Sequence, residues 1–191
     1  MAIILPKQGL HEYEEKRSRF IGFCSHVESE EEAKDIIFQI RGREKGANHN
    51  VYAYSINTLN IIRFSDDGEP SGTAGMPVLN VFDRAKVTNF VCVVTRYFGG
   101  TLLGASGLVR AYTKAAVGCM NDAGPMEQIF YSQYWVSCAY SQLDKVKYNF
   151  EKWGVEIQDI QYTDTCTLLV RVQDDTAEPF LDGDFYQINK I

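Results

Sequence analysis

Two runs of sequence decide how this chain is read. The first is Ser65-Asp66-Asp67-Gly68-Glu69-Pro70-Ser71-Gly72-Thr73-Ala74-Gly75, and the second is Thr95-Arg96-Tyr97-Phe98-Gly99-Gly100-Thr101-Leu102-Leu103-Gly104-Ala105-Ser106-Gly107. Each follows an apolar strand and opens a helix. Glycine gathers in this way where the backbone must take positive φ or come very close to something else. Whatever the chain binds is expected at these two loops.

Working outward, Phe90 to Thr95 is apolar and β-branched almost throughout, the pattern of a strand buried on both faces. Leu108, Val109, Tyr112, Ala115, Ala116, Cys119 and Met120 then mark a long amphipathic helix, which Gly124-Pro125 stops. Before the first loop, Val51–Ile56 and Ile61–Phe64 bracket Asn57-Thr58-Leu59-Asn60 as a hairpin. After it, Met76 to Arg84 reads as a short helix with Pro77 in its first turn. Ser29-Glu30-Glu31-Glu32 matches a capping box, and Ala33, Ile36, Ile37 and Ile40 follow at helical spacing, so a helix is expected over Glu30–Arg43. Leu10 to Val27 reads as one strand with a solvated start.

The Gly124-Pro125 step is the expected domain boundary, dividing the chain into residues 1–124 and 125–191. Beyond it, Gln128–Ala139 reads as a strand, Leu143–Trp153 as a helix, and Val155–Tyr162 and Thr165–Val172 as two more strands. That βαββ order suggests half or more of a split βαβ sandwich.

Charge divides along the same line. Residues 1–124 hold 14 basic and 14 acidic side chains, whereas residues 125–191 hold 5 and 11 and so carry the whole net charge of −6. An acidic second half does not suit non-specific phosphate binding, so any nucleic-acid surface belongs to the first half. The five cysteines (Cys24, Cys92, Cys119, Cys138, Cys166) have no framework spacing and read as reduced core thiols. No apolar run approaches the ~18–20 residues of a membrane span, and Met1–Leu10 is too short for a signal segment. A cytoplasmic protein without membrane contact is expected.

The second loop is physically suited to anions: amides freed by Gly99 and Gly100, a helix N-terminus and the Arg96 guanidinium lie together in sequence. The known phosphate motifs are nevertheless absent, because Ala105 stands where a Walker loop needs lysine. Tight turns that permit close helix–strand packing explain the same glycines. Asp66, Asp67 and Glu69 have the chemistry to ligate Mg²⁺ or to act as acid and base. Around Gly68 they equally read as turn residues bonding nearby amides, or as partners holding Arg96 or Arg110. His49 stands before a strand as a general base or as a hydrogen-bonding strand entry. Tyr97 and Phe98 form a stacking platform if exposed. No cofactor or metal is implied.

Ser65 to Gly75, Thr95 to Gly100 and Gly107-Leu108-Val109-Arg110-Ala111-Tyr112 resemble the hallmark runs of the YigZ/Impact family. Ser18-Arg19-Phe20 and His49-Asn50 with Tyr52-Ala53-Tyr54 support the resemblance, which covers about residues 10–124 and points to a bacterial-type, two-domain member. It implies an α+β first domain, a ribosomal-protein-type two-layer α/β sandwich with a left-handed βαβ crossover. It also implies a small ferredoxin-like second domain, shortened after Val172. Three positions depart from the family pattern: Leu102 stands where lysine is common, Ser106 where glycine is, and Asn48 where threonine is. In eukaryotic members the resemblance implies regulation of translation, largely through an additional N-terminal domain for which this chain has no room.

Three functions are carried forward. The first is a non-enzymatic, translation-associated regulator binding RNA or the ribosome through Arg96, Tyr97, Phe98, Gly99, Gly100 and Arg110, beside Asp66, Asp67, Gly68, Glu69 and His49. The second is a metal-assisted enzyme acting on a nucleotide or phosphorylated substrate. The third is a protein-interaction module whose acidic second domain engages a basic protein.

Overall fold

A computed structural model describes residues 2–174, 177–181 and 186–191. The remaining positions of the aspartate-rich tail, 175–176 and 182–185, lie outside the described residues. The chain divides into two compact units, Met1–Gln128 and Ile129–Ile191. The division falls a little past Gly124-Pro125 because β7 (Met126–Gln128) turns back to pair with β1 (Ala2–Ile4) inside the first unit.

The first unit is built on β2 (Gly9–Glu15), β3 (Ser18–His26), β4 (His49–Ile56), β5 (Ile61–Ser65) and β6 (Phe90–Tyr97). They form one sheet in the order β2-β3-β6-β4-β5, with every neighbouring pair antiparallel. Three helices cover it: α1 (Glu30–Arg43), α2 (Gly75–Arg84) and α3 (Gly104–Ala123).

α1 starts and stops where its sequence says. Ser29 Oγ accepts from the Glu32 N–H at 3.2 Å, acidic residues fill the first turn, and Arg41 and Arg43 close the last. α3 ends at Gly124, whose φ of +67° is open to glycine without strain.

β6 is buried on both sides, so its alternate residues feed two cores. Cys92 and Val94 pack with Phe20, Val51, Val78, Leu108 and Tyr112 under α2 and α3. Val91 and Val93 pack with Ala33, Ile37, Ile40, Tyr54 and Ile56 under α1. The sheet is therefore the middle of three layers, which corrects the two-layer expectation. The unbroken apolar run of β6 requires a cover on each face, and α1 supplies the second one.

The connections β3–α1–β4 and β5–α2–β6 each join parallel strands across one intervening strand. They are related by a half-turn in the plane of the sheet, yet their helices lie on opposite faces. Their hands are therefore opposite, and one of the two is left-handed, against the usual preference.

Leu10–Val27 is not one strand but a hairpin. Lys16 and Arg17 turn it, with φ of +48° and +67°. Two consecutive positive φ values are the requirement of a type I′ turn, normally met by Asn-Gly or Asp-Gly. Lysine and arginine give no such sequence signal.

In the second unit, β8 (Tyr131–Cys138), α4 (Leu143–Lys152), β9 (Glu156–Tyr162), β10 (Cys166–Gln173), α5 (Glu178–Leu181) and β11 (Gln187–Lys190) follow in order. The antiparallel sheet runs β11-β8-β10-β9. Val136, Leu168 and Val170 pack against Val146 and Phe150 of α4 and Phe180 of α5. All five cysteines of the chain are buried and free. No described helix is long and apolar enough to cross a membrane.

Candidate functional site

Strand register assembles the site. Tyr13 lies opposite Phe20, Phe20 opposite Arg96, and Arg96 opposite His49. Cross-strand neighbours share a face, so these four side chains form a single row across β2, β3, β6 and β4. The row lies on the α3 side of the sheet, under the N-terminal turns of that helix.

Arg96 is the pivot. It is 5% exposed, and its Nη1 meets Glu69 Oε1 at 2.6 Å. Glu69, 8% exposed, also accepts from the Tyr112 hydroxyl at 2.8 Å. Burial, reinforced by the Glu69 charge, pushes the Tyr112 hydroxyl pKa up, so the phenol stays a donor. The guanidinium stands 5.4 Å from the Phe20 ring centroid and 5.5 Å from that of Phe98, between two aromatic faces. Its Nη2 reaches Ser18 Oγ at 3.4 Å, while the buried Nε has no hydrogen-bond partner among the described residues. His49 Nδ1 donates to the Asp67 carbonyl at 2.8 Å, which leaves Nε2 facing Glu69 at 3.8 Å.

The two glycine loops meet above this row. Between them opens a cleft of about 410 Å³. Its floor is polar (His49, Glu69 and Arg96), and Pro70, Phe98, Leu102 and Leu103 supply apolar walls. Phe98 is 43% exposed and Leu102 83% exposed. A cavity of this size with apolar walls and a few convergent polar atoms suits a flat ring with a polar edge.

The second loop is clasped to the β2–β3 hairpin. Gly99 N–H donates to Ser18 Oγ at 3.1 Å, and Arg17 Nη2 donates to Thr101 Oγ1 at 3.0 Å. A Cβ on Gly99 would fall 2.0 Å from the Arg17 carbonyl carbon, so only glycine permits this approach.

The carboxylates of the first loop are used for structure. Asp66 Oδ1 accepts from Ala74 and Gly75 N–H at 3.0 and 2.8 Å, and its Oδ2 accepts from Gly72 N–H at 2.8 Å. Burial pushes its carboxyl pKa up, but those three amides outweigh it and hold the group below its ordinary value. Asp67 pairs with Arg41 at 2.6 Å and accepts from Asn50 N–H at 2.6 Å. Gly68, at φ +87°, passes close to the His49 ring.

Of the residues expected at the site, Arg96, Glu69, His49 and Phe98 come together in one cleft. Tyr97 does not. It points to the opposite face of β6, where its hydroxyl donates to Glu44, so the paired Tyr97–Phe98 platform is not formed. Arg110 lines a neighbouring cavity rather than this cleft. Gly100 takes φ +82° at the tip of the loop. Ser18, Phe20 and Tyr112 were missed as site residues. Period-two alternation puts Ser18 and Phe20 on one face, but only register reveals that the face is Arg96's.

Residues 16–120 match the Impact N-terminal domain, and residues 136–182 match a domain of unknown function, DUF1949. The chain is 36% identical over 173 residues to the IMPACT family member YvyE of Bacillus subtilis, covering 90% of this chain and 80% of that one. It is 33% identical over 182 residues to an IMPACT family member of Haemophilus influenzae, covering 93% and 88%. Similarity to the Protein IMPACT of Oryctolagus cuniculus, 33% over 94 residues, covers 47% of this chain and 30% of that protein. A crystal structure described as that of a hypothetical protein matches over 100% of this chain and 97% of its own, at 28% identity and a TM-score of 0.64.

Proposed function

The chain belongs to the Impact family, and from that premise we propose that it is a non-enzymatic, translation-associated regulator acting in the cytoplasm. It binds single-stranded RNA, free or within the ribosome, in the cleft between the two glycine loops. One observation carries this reading: a ring-sized cleft whose apolar wall, Phe98, is exposed and backed by a buried cation. An unstacked base enters beside Phe98 and turns its polar edge toward His49 and Glu69. Base–aromatic stacking tolerates any sequence, and the polar floor adds selectivity.

The enzyme reading is weaker. Its metal site needed Asp66, Asp67 and Glu69, whose oxygens already serve backbone amides, Arg41, Arg96 and Tyr112. For the second unit the proposed reading is a ferredoxin-like fold, supported by its βαββαβ order and its outer-to-outer strand order β11-β8-β10-β9.

Fluorescence anisotropy with a labelled single-stranded RNA tests the cleft. Phe98→Ala is expected to weaken binding about tenfold, within the ~1–3 kcal/mol of one base–aromatic stack. Circular dichroism should show the fold intact. Unchanged affinity overturns the proposal.

A further inference from the structure

At the Tyr13 end of the cross-strand row, a second cavity of about 250 Å³ opens beside the cleft. Leu103 lines both, so the two adjoin at that side chain. The lining of this cavity is cationic: Lys16 from the hairpin tip, and Arg110 and Lys114 from one face of α3, stand against the single carboxylate of Glu15. That carboxylate already accepts from the Tyr13 hydroxyl. The Lys114 ammonium sits 4.1 Å from the Tyr13 ring centroid. Neither Lys16 nor Arg110 enters an ion pair among the described residues.

Three cations around one concavity repel each other, and a concave low-dielectric wall concentrates their field. Lys16 is also held at φ +48°, a backbone region that side-chain-bearing residues rarely occupy. The Gly99–Ser18 clasp keeps that turn against the glycine loop. Strain and unneutralised charge converge on the rim that faces the cleft, and an anionic ligand relieves the second of these.

Resting on the RNA reading, we propose that this cavity is the phosphate subsite of the same site. Lys16, Arg110 and Lys114 engage backbone phosphates next to the nucleotide whose base enters the cleft. The two cavities divide recognition, base on one side of Leu103 and phosphate on the other.

The experiment measures affinity of the full chain for a labelled oligouridylate across a salt series. The variant is Lys16→Asn/Arg110→Gln/Lys114→Gln. Asparagine tolerates the left-handed turn, and glutamine suits an exposed helix position. Each phosphate contact to a single strand contributes about 0.7 to the slope of log K against log salt. The triple variant is therefore expected to flatten that slope by about 2, whereas Phe98→Ala lowers affinity at constant slope. An unchanged slope in the triple variant overturns the phosphate subsite, even where Phe98→Ala still weakens binding. A flattened slope with no effect of Phe98→Ala supports the subsite and overturns the base cleft instead. No binding by the parent chain at low salt overturns both.

Discussion

Arg96 shows what a single residue contributes. In sequence it stood beside glycines either as a cation open to a ligand or as the partner of a loop carboxylate, and its guanidinium is closed in by Glu69 and two aromatic rings. It is the floor of the cleft rather than a surface hand. A buried pair of this kind adds little net stability while both partners are present, but loss of one leaves an uncompensated charge. Arg96→Ala is expected to destabilise the fold by about 3–5 kcal/mol, measured by urea denaturation. A loss under ~1 kcal/mol, typical of an exposed ion pair, would mean that Glu69 reaches water. The residue types of the site were legible from the chain, since His49, Glu69, Arg96 and Phe98 were all named. Their pairing was one of several readings left open, because Glu69 and Arg96 lie 27 residues apart and meet only once β5 and β6 flank β4 in the sheet. Tyr97 stood open between an exposed platform and core, and strand alternation sends it to the face opposite Arg96, where it meets Glu44.

Among the elements, legibility followed the strength of local signals. The capping box and helical spacing bounded α1 at both ends. The β2–β3 hairpin was invisible because its turn is Lys16-Arg17, with neither glycine nor asparagine to mark it. α2 is a mixed case. Its N-cap, Ala74, has no side chain able to cap, and Asp66 does the work from outside the helix. That arrangement has a pH consequence. The folded Asp66 pKa lies below the unfolded value of about 3.9. Its contribution is therefore fully present above that value and lost as pH falls through the folded pKa. The stability of the parent chain should fall more steeply below about pH 4 than that of Asp66→Asn, in urea titrations at stepped pH. Parallel curves would remove Asp66 as the cap of α2.

At the level of the whole molecule, each unit has its own core, and the site residues all belong to the first. Residues 1–128 alone are expected to fold and to bind RNA within a few-fold of the full chain, tighter at low salt because the acidic half is gone. A folded fragment that fails to bind, where the full chain succeeds, would require a contribution from the second unit. The charge asymmetry that suggests this division was plain in the sequence. The three layers were partly legible, since β6 announced two buried faces, but the cover supplied by α1 required the topology.

The row Tyr13–Phe20–Arg96–His49 draws one residue from each of four strands, and its roof, α3, comes last of all the parts. During synthesis the emerging polypeptide exposes Tyr13, Phe20 and His49 long before Arg96 leaves the ribosome. A nascent chain that ends before α3 therefore cannot form this cleft. The cleft exists only once the first unit is complete, so a half-made copy lacks the surface that a finished one presents.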